Sequence, residues 1–172
     1  MKIRAKDLTL VALFSALIAV GAFIKIPFLL VPITLQTLFV VLSALVLERR
    51  LAVLSVIVYI MIGLVGFPIF ANGGGINYIF SPTFGYLVSF IFATYFISSF
   101  KEKNIYISTA IGMLIIYFFG MIYFIFIQYV LNGKVYLISY LFYNLFLVFL
   151  PGDILSCVVA IIGYRRILRL KK

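Results

Sequence analysis

The 172-residue chain has no histidine, no tryptophan, one cysteine, and four acidic residues against fourteen lysines and arginines. Each scarcity removes a class of chemistry. Without histidine there is no HExxH metalloprotease, no histidine-based phosphatase and no ordinary zinc or haem centre. The single cysteine, Cys157, rules out a disulfide framework; it lies in an apolar run and reads as a small packing residue. An aspartyl protease needs two facing carboxylates, and only one acid lies away from the basic clusters. No G-x-x-x-x-G-K-[ST] stretch occurs, and the glycines at 73–75 have no lysine after them, so no nucleotide site is legible. A serine nucleophile would have to rely on lysine as its base. The chain reads as a non-enzyme with no cofactor and no metal.

What the sequence has in abundance is apolar surface. Hydrophobic residues make up 66% and charged residues 10%, whereas a soluble domain carries about 25% charge. The reading is an all-α integral membrane protein in one domain, residues 1–172. Six apolar runs, at about 8–24, 34–47, 51–67, 83–100, 106–130 and 140–164, predict six transmembrane helices, near the roughly 20 residues a crossing needs. The second run is short and needs a tilt or help from the segment before it. Runs two and three are separated only by Glu48-Arg49-Arg50, which suits a tight helical hairpin. Lys2, Arg4 and Lys6 before an apolar run also suit a secretory leader, but the further runs favour a retained first helix.

The net charge of +10 would suggest nucleic acid on a soluble protein. Here the basic residues flank the apolar runs, which points to a lipid bilayer and not to nucleic acid. With the amino terminus inside, the cytoplasmic segments hold Lys2, Arg4, Lys6, Arg49, Arg50, Lys101, Lys103, Arg165, Arg166, Arg169, Lys171 and Lys172, leaving only Lys25 and Lys134 outside. That asymmetry predicts both termini in the cytoplasm of a prokaryotic cell membrane. Asp7, Glu48 and Glu102 sit beside the inner basic clusters as solvated partners.

Asp153 alone falls inside an apolar run, LFLVFLPGDILSCVVAIIG. Twelve residues before Arg165, it stands about 18 Å up a straight helix, near the middle of the bilayer. A buried ionised carboxylate is costly unless partnered, and in membrane segments it marks a pathway or a binding site. Pro151-Gly152 predicts a kink beside it. Between the third and fourth runs, FPIFANGGGINYIFSPTFGY mixes turn residues with Ile76, Tyr78, Ile79 and Phe80, which predicts a loop folding back as a lid. Gly73, Gly74 and Gly75 offer successive amides that can form an anion nest. Gln36, at the outer end of the second helix, contacts a ligand or bridges to a neighbouring helix.

VPITLQT at 31–37, GLVGFPIFANGGG at 63–75, SPTFGY at 81–86 and PGDIL at 151–155 occur together and in order. In that combination the chain resembles the BioY family, the biotin-specific S components of energy-coupling factor (ECF) transporters. The resemblance implies a six-helix S-component fold, biotin capture from outside, and partnership with a transmembrane coupling protein and two cytoplasmic ABC ATPases that supply the energy. It implies that Asp153 accepts a ureido N–H of biotin, with Asn144 or Ser156 completing the polar edge. Tyr86 then packs on the rings, while Asn72, Asn77 and the Gly73, Gly74 and Gly75 amides face the carboxylate tail. Family members dock on the coupling protein through a small-xxx-small motif on the first helix. Ala12 and Ala16 match it, with Ala19 near the same face, although the spacing alone fits packing inside the subunit equally well.

One departure stands out. The family pattern G-D-x-x-K ends here in Ser156, so the lysine one helical turn after Asp153 is missing. Asp153 must then find a ligand N–H, a more distant cation such as Lys25, or a proton. This leaves room for an S component serving another small vitamin. A stand-alone secondary carrier that titrates Asp153 is a further alternative.

Overall fold

The computed structural model describes residues 4–27 and 30–170; Lys2, Lys171 and Lys172 of the basic clusters lie outside them. Each apolar run forms a helix: α1 (Ala5–Phe23), α2 (Gln36–Val46), α3 (Arg49–Val65), α4 (Phe84–Phe100) and α5 (Ile105–Asn132). The sixth is composite, with α6 (Ile138–Phe142), a π-helical turn (Tyr143–Leu147) and α7 (Leu150–Leu170) in succession. α1, α5 and the stretch Ile138–Leu170 are each long and apolar enough to cross a membrane. α2 has 11 residues and is only about 16 Å long, short of the roughly 30 Å hydrocarbon core. The segment ahead of α2 is extended instead. Strand β2 (Ile33–Thr34) pairs antiparallel with β1 (Lys25–Ile26), Lys25 opposite Thr34. Besides that ribbon, an isolated antiparallel bridge joins Phe70 and Gly73 in the loop between α3 and α4.

Apolar side chains cover both faces of the helices. Ile18, Val40, Val41, Ala44 and Leu45 are fully buried, while Leu13, Phe118, Ile122 and Val158 are exposed. A bilayer requires this arrangement, because the outward face meets hydrocarbon. α4 packs along α5, α2 along α7, and α1 along α3. Close approach of α4 and α5 depends on two glycines. A Cβ on Gly112 would lie 2.4 Å from Ile97, and one on Gly120 would lie 2.5 Å from the Tyr86 ring.

At the end where α1 begins and α7 finishes, Lys101 reaches from the end of α4 to the last carbonyls of α2. Its Nζ donates to Ala44, Leu45 and Leu47 oxygens at 3.1, 2.8 and 2.7 Å. A lysine at a helix C-terminus satisfies orphan carbonyls and the negative end of the dipole together. Asn104 then caps α5, its side chain accepting from Tyr106 N and Ile107 N at 3.0 Å each.

The break in the last span does not fall at Pro151-Gly152. It comes one turn earlier, in the π turn and at Val148-Phe149. Pro151 sits in the first turn of α7, where a missing N–H interrupts no intrahelical bond. The first regular bond beyond it runs from Asp153 N to Phe149 O at 3.0 Å.

Candidate functional site

A polar cavity of about 50 Å³ lies among the helix ends on the side away from Lys101. Val31, Pro32 and Thr34 close it from the ribbon segment, and Ala71, Tyr78 and Thr83 from the loop between α3 and α4. Its depth is formed by Thr37 of α2, Phe90 of α4, Tyr117 of α5 and Asp153 of α7.

Asp153 is 9% exposed. α7 lies along α2, which brings Asp153 beside Thr37. The Tyr117 hydroxyl of α5 donates to its Oδ2. An edge contact with Phe146, ring centroids 4.8 Å apart, holds Tyr117 in that direction. No cation forms an ion pair with Asp153 among the described residues, where the ion pair is Arg4–Asp7 at 3.3 Å. Lys25 is engaged elsewhere: its Nζ donates to Ala71 O and to Asn72 Oδ1, the latter at 3.4 Å. The carboxylate therefore faces hydroxyl donors and retains acceptor capacity toward the cavity.

Tyr86 supplies the second polar feature. Its hydroxyl is buried, lacks a hydrogen-bond partner, and belongs to the cavity lining. A buried unpaired hydroxyl costs about 1–3 kcal/mol and marks a place for a ligand or water. Elsewhere the lining is already paired. Thr34 donates to Gln36 Oε1 at 3.2 Å, Gln36 Nε2 to the Tyr59 hydroxyl at 2.7 Å, and that hydroxyl to Ile69 O at 3.2 Å. The chain links the ribbon, α2, α3 and the following loop. Gln36 thus makes the bridge to α3, and it also stands in the cavity lining.

The loop 67–83 does fold back over the bundle. Phe70 is 1% exposed, its ring lying against Gly63 and 4.5 Å from that of Tyr78. Tyr78 is buried and accepts from Thr83 Oγ1 at 2.9 Å. The three glycines serve this loop's own fold. Gly73 N donates to Phe70 O at 3.2 Å and Gly75 N to Gly63 O at 2.7 Å, so these two amides are not free to form the anion nest. Gly73 and Gly75 have φ of 117° and 98°, and a Cβ on Gly74 would lie 2.1 Å from Phe67 O.

Of the residues singled out from sequence, Asp153, Tyr86 and Gln36 meet at the cavity. Asn72 and Asn77 are exposed on the roofing loop, outside the lining. Asn144 is buried in the π turn, where its Nδ2 donates to Tyr140 O at 2.9 Å. Ser156 is 3% exposed and lines no cavity beside Asp153. The site also contains Thr37, Tyr78, Thr83, Phe90 and Tyr117. Thr37 and Thr83 stand inside VPITLQT and SPTFGY, while nothing in its apolar run distinguished Tyr117.

On α1 the buried side chains are Val11, Phe14, Ser15, Ile18 and Ala22. Ser15 Oγ reaches Ser55 O on α3 at 2.7 Å. Ala12 and Ala16 point the other way and are exposed, while Ala19 is half-buried against the core.

The family model described as the BioY family matches residues 1–172. A probable biotin transporter BioY of Lysinibacillus sphaericus is 48% identical over 118 residues, 64% of this chain and 60% of that protein, so the match spans less than two thirds of this relative. The biotin transporter BioY of Rhizobium etli is 30% identical over 90% of this chain and 89% of its own. Among solved structures, the S component for biotin from an ECF-type ABC transporter superposes with a TM-score of 0.72 at 26% identity, covering 98% of this chain and 95% of that one. The S component of a bacterial ECF transporter shares the fold, with a TM-score of 0.50 at 17% identity.

Proposed function

The chain belongs to the BioY family, and from that premise we propose that it captures biotin at the outer face of a prokaryotic cell membrane as the S component of an ECF-type importer. The observation that carries this reading is the buried Asp153 carboxylate, turned with the unpartnered Tyr86 hydroxyl into one polar cavity. Biotin has two ureido N–H donors, a ureido carbonyl, an apolar fused ring and a carboxylate tail. Asp153 takes a ureido N–H, Tyr117 fixes the carboxylate's orientation, and the Tyr86 hydroxyl donates to the ureido carbonyl. Phe90 and Phe149 pack on the rings. The tail points outward to Asn72 and Asn77.

The cavity volume of about 50 Å³ is far below the roughly 300–1,000 Å³ of pockets that take small organic ligands. Entry therefore requires the roof to lift. The ribbon segment, tied to the opposite loop through Lys25, is the natural gate.

Both termini and the Lys101 end face the cytoplasm, in accord with the positive-inside rule. Exposed Ala12 and Ala16, with Ala19 at the edge, form the face that docks on the transmembrane coupling protein, and two cytoplasmic ABC ATPases drive transport. The chain has no ATPase site of its own. The test is mass spectrometry of small molecules retained by the purified chain, followed by a biotin titration. Saturable binding of one biotin per chain is expected; retention of a different vitamin without biotin binding would overturn the ligand assignment.

A further inference from the structure

Because α5 packs along α4 and α7 along α2, a lengthwise cleft of about 480 Å³ opens between α5 and α7 on the flank of the bundle. It is distinct from the polar cavity, and only Tyr117 and Asp153 border both. Ala110 and Leu114 line one wall and Ile154, Val158 and Ile162 the other. From Tyr106 to Tyr117 the cleft follows α5 for about 17 Å, near half of the roughly 30 Å hydrocarbon core. It thus begins at the basic end and reaches about mid-bilayer on α5, and somewhat deeper, to Leu150 and Phe146, on the facing wall. Its mostly apolar walls suit a hydrocarbon chain.

Its mouth has the opposite chemistry. Arg165 lines it, exposed, with its guanidinium 5.4 Å from the centroid of the Tyr106 ring. Arg166 and Arg169 follow, also exposed. Thr109, one turn in from Tyr106, is 3% exposed, belongs to the cleft lining, and its hydroxyl has no hydrogen-bond partner. A guanidinium recognises a phosphate through paired N–H donors.

We propose that this cleft binds one anionic phospholipid from the leaflet at the basic end, its phosphate on Arg165 and one acyl chain laid between α5 and α7. The additional arginines favour a net-negative headgroup over a zwitterionic one. The inner end of the acyl chain abuts the Tyr117–Asp153 hydrogen bond and closes the polar cavity from the membrane side, keeping water from the carboxylate along that route.

Native mass spectrometry of the delipidated full-length chain, titrated with phosphatidylglycerol or phosphatidylcholine, tests the site. One retained phosphatidylglycerol is expected, bound about tenfold more tightly than phosphatidylcholine. Arg165→Gln should weaken retention of both lipids, since each carries the phosphate; Arg166→Gln combined with Arg169→Gln should remove the preference; and Ala110→Trp, filling the cleft, should remove the retained lipid altogether. A phosphatidylglycerol with a diazirine on its acyl chain should label segments 106–117 and 150–165. Equal retention of the two lipids, retention of phosphatidylglycerol unchanged by Arg165→Gln, labelling spread evenly over α1 and α3 as well, or a dimer formed through the cleft overturns the proposal. Arg165 is a surface residue, so its variant remains informative if Ala110→Trp folds poorly.

Discussion

Tyr117 on α5 donates its phenolic hydrogen to Asp153 on α7, joining two helices that otherwise diverge to form a cleft. The pairing leaves the acid oriented and without an ion-pair partner among the described residues, which is what a site needs if its guest is to supply a further donor. Asp153→Ala should weaken biotin binding by about 2–5 kcal/mol, or roughly 30-fold to several thousand-fold. Tyr117→Phe should weaken it by about tenfold, since the acid keeps its acceptors and loses only its guide. Equilibrium binding to the purified variants checks both; an unchanged affinity for Asp153→Ala removes the acid from the site.

Gly120 positions Tyr86. A side chain at Gly120 would occupy the place of the Tyr86 ring, and in a packed interior such overfilling costs about 1–3 kcal/mol. Gly120→Val should push Tyr86 into the 50 Å³ cavity, lowering the melting temperature and the biotin affinity together. Tyr86→Phe should lower affinity alone, because it removes only an unpartnered hydroxyl. If Tyr86→Phe binds biotin normally, the hydroxyl has no part in recognition.

Lys25 ties the ribbon to the roofing loop through Ala71 O and Asn72. Lys25→Met removes this exposed tie, so its effect should be modest and kinetic. Biotin dissociation, followed by stopped flow, should accelerate several-fold, in keeping with the roughly 1 kcal/mol that an exposed charged contact contributes. A slower or unaltered off-rate would place the gate in another segment.

The helices were legible because a bilayer leaves an unmistakable mark: the runs at 83–100 and 106–130 became Phe84–Phe100 and Ile105–Asn132. The same solvent hides which face looks inward. Phe118 and Tyr117 are neighbours in one apolar run, yet the first is 59% exposed and the second 4%; with lipid on one side and packed side chains on the other, no polar alternation separates them. Asp153 could be singled out because a charge stands alone against that background, whereas its partner Tyr117 could not. The break at 143–149 was also displaced from the proline that advertised it, because Pro151 is harmless in a first helical turn.

Lys101 contributes to the bundle and not to the site. Its three bonds close the end of α2 from α4, and hydrogen bonds from a charged donor contribute about 1.5–3 kcal/mol. Lys101→Met should lower the melting temperature by several degrees while leaving the affinity for biotin unaltered. A variant as stable as the parent would show that water serves those carbonyls equally well.

Ala12 and Ala16 stand one helical turn apart on the exposed face of α1, where two side chains of this size let a second helix approach closely. Burial inside the subunit would have made them structural; exposed, they are open either to lipid or to a partner helix. Ala16→Trp adds bulk to a surface that packs on nothing within the chain, so folding and biotin binding by the isolated protein should persist. Uptake by cells carrying the whole transporter should fail, and the coupling protein should no longer co-purify. Because Leu13 on a neighbouring part of the same helix is also exposed, Leu13→Trp is the matched control for bulk placed beside the small-residue line. Normal uptake with Ala16→Trp would move the docking face to another helix, while equal loss in both variants would show that α1 docks without depending on its alanines.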